Sequence, residues 1–92
     1  MPENKSHRQL ERIVKGFANH RRLAILALLD KEPELSVSDI SDKLNINFKT
    51  ASEHIRRLAI AGLVLKRSDG LNVRHKLSKR GETILKFLRI LE

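Results

Sequence analysis

Residues 47–76, NFKTASEHIRRLAIAGLVLKRSDGLNVRHK, decide how this chain is read. In the first half, Ala51, Ile55 and Leu58 fall on one face of a helix spanning residues 48–61. Asn47 is placed to cap that helix and Gly62 to end it. In the second half, Leu63, Val64 and Leu65 lead into Lys66 and Arg67, and Ser68, Asp69 and Gly70 supply turn chemistry. Val73, His75 and Leu77 then alternate with Arg74 and Lys76, the pattern of a two-stranded hairpin. The charge is as uneven as the structure: residues 49–80 carry nine Lys/Arg against two acids, net +7 of the formal +8. Such a concentration is an argument for a polyanionic partner.

Working outward, Leu10, Ile13, Val14 and Phe17 recur at helical spacing, which predicts a helix over residues 6–18. Asn19 is the expected N-cap of a second helix over residues 20–30, apolar on most of its circumference after Arg22 and therefore expected at the centre of the core. Pro33 enforces its end. Residues 35–37 read as a short extended piece. Ser38 then caps a third helix over residues 39–44, its capping box incomplete because Ser41 stands where Glu or Gln belongs. Asn45 and Ile46 make a tight turn into the helix that opened the reading. A lone hairpin is marginal in water, so Leu63, Leu65, Val73 and Leu77 are expected to pack on the helices. Ser78 caps a last helix over residues 79–91. The fold class is mainly α with a small β-hairpin. Its order of two helices, an extended piece, two helices, two strands and a helix is that of a winged helix-turn-helix, a single domain over residues 1–92.

Composition narrows the function. The 92 residues are 40% hydrophobic and 33% charged, which is globular, and they include no cysteine, which excludes disulfides and thiolate metal sites. No apolar run reaches the roughly 18 residues of a membrane span, and the N-terminus lacks a signal peptide's apolar core. A soluble, cytosolic protein without membrane contact is expected. The four histidines, His7, His20, His54 and His75, are scattered. His54 is expected to hydrogen-bond behind the basic helix and His75 to tie the wing to the core; neither is expected to hold a metal. No nucleophile–base arrangement, glycine-rich phosphate loop or carboxylate pair is recognisable, so no enzyme activity and no cofactor are expected.

The residues themselves resemble a known family. FANHRRLAILALL (residues 17–29) resembles the pattern LADPTRLAILRLL of the ArsR/SmtB small repressors, with Asn19, Arg22, Leu23, Ile25 and Leu26 at matching places. KTASEHIRRLAIAGLV (residues 49–64) is similar to their recognition-helix signature STVSRHLKKLREAGLV, matching at Thr50, Ser52, His54, Leu58, Ala61, Gly62, Leu63 and Val64. The resemblance covers residues 17–81 and implies a DNA-binding winged helix. One departure matters. ELSVSDI (residues 34–40) aligns with the family's metal-sensing motif ELCVCDL, but Ser36 and Ser38 replace both thiols. Serine hydroxyls stay protonated near neutral pH and bind thiophilic metals weakly. The family's second site needs His and Asp on the closing helix, where residues 79–92 have neither. A member that does not sense metals is implied, its effector unknown.

With Ala51, Ile55 and Leu58 inward, Phe48, Lys49, Ser52, Glu53 and Arg56 project outward, and by resemblance these read bases in the major groove. The full recognition set is Asn47, Phe48, Lys49, Thr50, Ser52, Glu53, Arg56 and Arg57. Lys66, Arg67, Arg74 and Lys76 line the wing for phosphate or minor-groove contact. Arg21 and Arg22 sit at the positive end of the second helix, where a phosphate is favoured. The competing reading makes these a solvated face, with Glu53 and Arg57 an i,i+4 pair and the wing charges a guard against edge pairing. Leu10, Ile13, Val14, Phe17, Ile84, Phe87, Leu88 and Leu91 offer more apolar surface than a chain of this size easily covers. The resemblance makes them the interface of a two-fold dimer, the alternative being that both helices finish one core. The expectation is a homodimeric, sequence-specific regulator of double-stranded DNA, a repressor on an inverted repeat. An architectural binder of low specificity and a winged-helix protein-interaction module remain open.

Overall fold

Five helices and one hairpin make up the computed structural model, which describes residues 4–92: α1 (His7–Phe17), α2 (His20–Lys31), α3 (Val37–Leu44), α4 (Phe48–Ile60), β1 (Val64–Asp69), β2 (Asn72–Leu77) and α5 (Lys79–Ile90). Every helix starts on a serine or asparagine whose side-chain oxygen accepts from orphan backbone N–H groups. Asn19 and Asn47 cap α2 and α4 as the sequence implies. The third cap differs from expectation: it is Ser36, not Ser38, and Val37 is already helical. Ser36 Oγ accepts from the Asp39 N–H (3.1 Å), and the Asp39 carboxylate accepts from the Ser36 N–H (3.0 Å), a complete capping box with aspartate in the place of glutamate. These bonds hold the Asp39 carboxyl below its usual range. The expected extended piece shrinks to one bridge residue, Leu35, paired with His75.

The turn between α3 and α4 rests on Asn45, which takes the left-handed conformation (φ 52°, ψ 49°). Ser41, buried, closes it: its hydroxyl donates to the Ile46 carbonyl (2.6 Å), and the Ile46 N–H donates back to the Ser41 carbonyl (3.0 Å). That reciprocal pair fixes the angle at which α4 leaves α3.

As its pattern implies, α2 supplies the centre of the core through Ile25, Leu26 and Leu29, around which Ile40, Ile55, Leu58, Leu63 and Leu85 are buried. Each such side chain contributes about 1.5–3 kcal/mol by leaving water. Helix α1 packs on α4, and α5 packs on α2 and β2. Gly16 permits the α1–α4 approach, since a Cβ there would collide with the Ala61 methyl. Phe17 is buried in this core, only 8% exposed, so it stabilises the single chain and is not part of an outer apolar face.

In the antiparallel hairpin Val64 pairs with Leu77 and Asp69 with Asn72, leaving a two-residue loop in which Gly70 takes φ 64°, the first position of a type II′ turn. The inward residues are Val64, His75 and Leu77, not the expected Leu65 and Val73, which are 49% and 41% exposed. The register explains both. Leu65 opposes Lys76 and therefore points away from the helices, while Val73 shares the face of His75 but lies nearer the tip, beyond their reach.

Candidate nucleic-acid interface

Helix α4 turns Ala51, Ile55 and Leu58 to the core and leaves Phe48, Lys49, Ser52, Glu53, Arg56 and Arg57 exposed, the facing that its periodicity implies. Thr50 is half-buried. Asn47 is exposed, but its side-chain oxygen is engaged by the Lys49 and Thr50 N–H groups (2.8 and 3.3 Å), leaving its amide donors for a partner. Glu53 is gripped from two sides. Arg56 donates through Nε and a terminal nitrogen (3.0 and 2.8 Å) in a bidentate fork, and Arg57 donates through Nε (3.2 Å). The Arg56 and Arg57 bonds lower the Glu53 pKa to about 2. The local pair with Arg57 is thus present, with Arg56 as its stronger partner. Any group that takes Arg56 must exchange for Glu53, at little cost because the pair is exposed.

Arg22 lies elsewhere than the sequence suggests. Its Nε donates to His54 Nδ1 (3.1 Å), and one terminal nitrogen donates to the carbonyls of Lys15 (2.9 Å) and Gly16 (3.2 Å). It therefore clamps the end of α1 and α4 to the start of α2, and its guanidinium is committed within the chain. Arg21 remains exposed at the α2 N-terminus. Burial, then the cations of Arg22 and Arg21, hold His54 below the ordinary histidine pKa, so it is the neutral ring that accepts from Arg22.

The wing is sewn to the α2–α3 linker at one point. The Leu35 carbonyl accepts from both the backbone N–H (2.9 Å) and Nδ1–H (2.8 Å) of His75, and the Glu34 N–H donates to the His75 carbonyl (2.8 Å). His75 is 1% exposed, and burial lowers its pKa despite the Leu35 bond. Glu34, in the left-handed region at φ 68°, gathers two wing arginines: Arg67 Nε donates to its carboxylate (3.1 Å), and Arg74 donates to its carbonyl (3.1 Å). Arg74 also pairs with Asp69 (2.8 Å). Of the expected wing set, Lys66 and Lys76 are exposed and, with Lys49, take no carboxylate partner among the described residues. Nothing in the sequence singles out Glu34 as the residue that gathers the wing arginines, because Arg67 on its carboxylate and Arg74 on its carbonyl lie 33 and 40 positions away.

Away from this surface, α1 exposes Leu10 and Val14, α5 exposes Phe87 and Ile90, and its C-cap Leu91 is exposed too. Ile13 and Ile84 pack partly on the core, and Leu88 is half-buried. Among the described residues no three His, Asp or Glu side chains gather as metal ligands, and no helix is long and apolar enough to cross a membrane.

Comparison with known proteins matches this architecture. Residues 19–66 fit the model of a bacterial regulatory protein family, the arsR family. The transcriptional activator HlyU of Vibrio cholerae is 38% identical over 66 residues, covering 72% of this chain and 60% of that protein. A solved structure of HlyU superposes with a TM-score of 0.80 at 31% identity, over 97% of each chain. The HTH-type transcriptional regulator Rv0324 of Mycobacterium tuberculosis is 32% identical over 84 residues, 91% of this chain and 36% of its own length. This chain therefore spans less than two thirds of either curated relative. The homodimeric winged helix-turn-helix DNA-binding domain Mb0332 of Mycobacterium bovis, a possible ArsR-family regulator, gives a TM-score of 0.82 at 28% identity, over 98% of this chain and 89% of that one. From the local motifs to the arrangement of helices and wing, this chain belongs to the arsR family of winged helix-turn-helix transcriptional regulators.

Proposed function

We propose that the chain works as one domain, in the cytoplasm, as a homodimer that binds an inverted repeat in double-stranded DNA and represses transcription by occupying its operator. The observation that carries this reading is the division of α4 into a buried apolar side and an exposed polar side bearing Lys49, Ser52, Glu53 and Arg56. A helix of that form fits the major groove, where Arg56 can trade Glu53 for guanine and Phe48 can meet a thymine methyl. Asn47, Thr50 and Arg57 flank these positions, and Lys66, Lys76, Arg67 and Arg74 supply phosphate contacts from the wing. Arg21 adds a backbone contact at the α2 N-terminus, without Arg22.

Leu10, Ile13, Val14, Ile84, Phe87, Leu88 and Leu91 form the dimer contact in this reading. The exposure of Leu10, Val14, Phe87 and Leu91 and the homodimeric state of Mb0332 both support it. A two-fold axis through α1 and α5 sets the recognition helices about one DNA turn, roughly 34 Å, apart. Phosphate neutralisation then gives log K a fall of about 0.9 per contact with log salt. HlyU is a transcriptional activator by name, which makes activation from the same site the second outcome of operator binding. The test is selection of bound duplexes from a random pool, followed by titration of the recovered site. An inverted repeat is expected. Arg56→Ala then weakens the recovered site by about 1–3 kcal/mol but random duplex little, whereas Lys66→Ala weakens both. Equal losses on both duplexes for both variants would overturn base reading by α4.

A further inference from the structure

A groove of about 570 Å³ lies between α1 and α4. Its floor is apolar, made by Ile13 and Gly16 of α1 and by Ile60 and Ala61 at the end of α4. Its rim is cationic, with Lys5, Arg12, Lys15, Arg56, Arg57 and Arg80, and no acidic side chain lines it. Two carboxylates lie within reach of the rim: Glu53 holds Arg56 and Arg57, and Glu11 meets Lys15 at 3.7 Å. Lys5 and Arg12 take no carboxylate partner among the described residues. Arg80 is fixed by donating to the Ala61 carbonyl (2.8 Å).

We propose that this groove binds a small organic anion with an apolar body, its charged group among Arg12, Arg57 and Arg80 and its body on Ile13 and Ile60. Cations so crowded favour an anion, since like charges this close raise one another's energy. A DNA phosphate would satisfy the rim alone. It would leave the floor uncovered, where Ile60 is 72% exposed, and an amphipathic ligand meets both. The volume lies within the ~300–1,000 Å³ of small-molecule sites. Of the apolar residues assigned to the dimer contact only Ile13 lines the groove, at one edge of it, and Gly16, Ile60 and Ala61 lie outside that contact. Arg56 and Arg57 belong both to this rim and to the recognition helix. On the DNA-binding reading above, an anion held by Arg57 lowers the positive potential beside Arg56 and weakens duplex binding.

The test titrates the chain with decanoate, decyltrimethylammonium and inorganic phosphate, followed by amide chemical shifts. Decanoate is expected to saturate with shifts centred on Ile13, Gly16, Ile60 and Ala61, and the cation of the same chain length to leave them unmoved. The exposed double variant Arg12→Glu/Lys15→Glu, with Arg12→Gln/Lys15→Gln as a milder companion, should weaken decanoate by about tenfold with the fold intact by circular dichroism. Absence of saturation, equal binding by both charge types, phosphate binding as tight as decanoate, or full affinity in both double variants would each overturn the site. In a parallel duplex titration, saturating decanoate should lower wild-type affinity by about tenfold, and unchanged affinity overturns the regulatory role. If no duplex binds while decanoate still titrates, the DNA-binding reading fails and the groove stands; duplex binding without decanoate binding fails the groove alone.

Discussion

Helix α4 and the wing carry the same kind of charge and are held in different ways. On α4, Arg56 and Arg57 are organised by Glu53, three and four residues before them on the same helix. On the hairpin, Arg67 is held by the carboxylate of Glu34, a residue of the α2–α3 linker, and Arg74 by the Glu34 carbonyl together with Asp69 of β1. The helix stands directly on the core through Ile55 and Leu58, whereas the wing meets it through Val64 and Leu77 and through the His75–Leu35 bond. A charged surface built on a helix is therefore prearranged by its own backbone. One built on a hairpin depends on what the hairpin is tied to.

The largest effect should come from removing what both regions share. Ile55→Ala empties a fully buried site beneath α4 and should cost about 2–5 kcal/mol in urea unfolding. Helix and wing should lose protection together. A variant losing less than about 1 kcal/mol would show that α4 does not stand on this core.

His75→Ala separates the two regions. It removes a buried ring and one of the two donors to the Leu35 carbonyl, with an expected loss of about 2–3 kcal/mol. Amide exchange should quicken in β1 and β2 well beyond any change in α4. Equal acceleration in both would break the comparison. The same histidine makes a pH prediction. His75 and His54 are held below the ordinary value of about 6.5, so the unfolded chain binds more protons in acid. Stability should be full above pH ~6.5 and fall as the pH drops from there toward the folded pKa values, and the fall should shrink in His75→Ala.

Glu34→Gln should have the smallest effect on stability, within about 1 kcal/mol, because the Arg67 pair is partly exposed. It removes a negative charge from beside the wing and frees Arg67. Affinity for random duplex at low salt should rise by about two- to fivefold, with a steeper salt dependence. No change in either would show that the wing arginines do not meet phosphate.

Much of this was legible in the sequence, for a reason that particular residues make plain. Asn19 and Asn47 cap the helices that follow them, and Asn45 adopts the left-handed turn, because a cap or turn acts within three residues. The inward face of α4 follows from its period, and the pairing of Glu53 with Arg57 from one helical turn. The third cap is just as local, but Ser36 and Ser38 offer the same side chain two residues apart, and only the box with Asp39 decides for Ser36. What only the tertiary structure decided is all at long range. It buries Phe17, spends Arg22 on His54 and the carbonyls that end α1, exposes Leu65 and Val73, and ties the wing to Glu34 and Leu35. Neither propensity nor periodicity carries information about a partner 32 or 40 positions away. Those contacts exist because α2 and the linker after it happen to pass α4 and β2 once the core has closed, and that passage is a property of the packed chain.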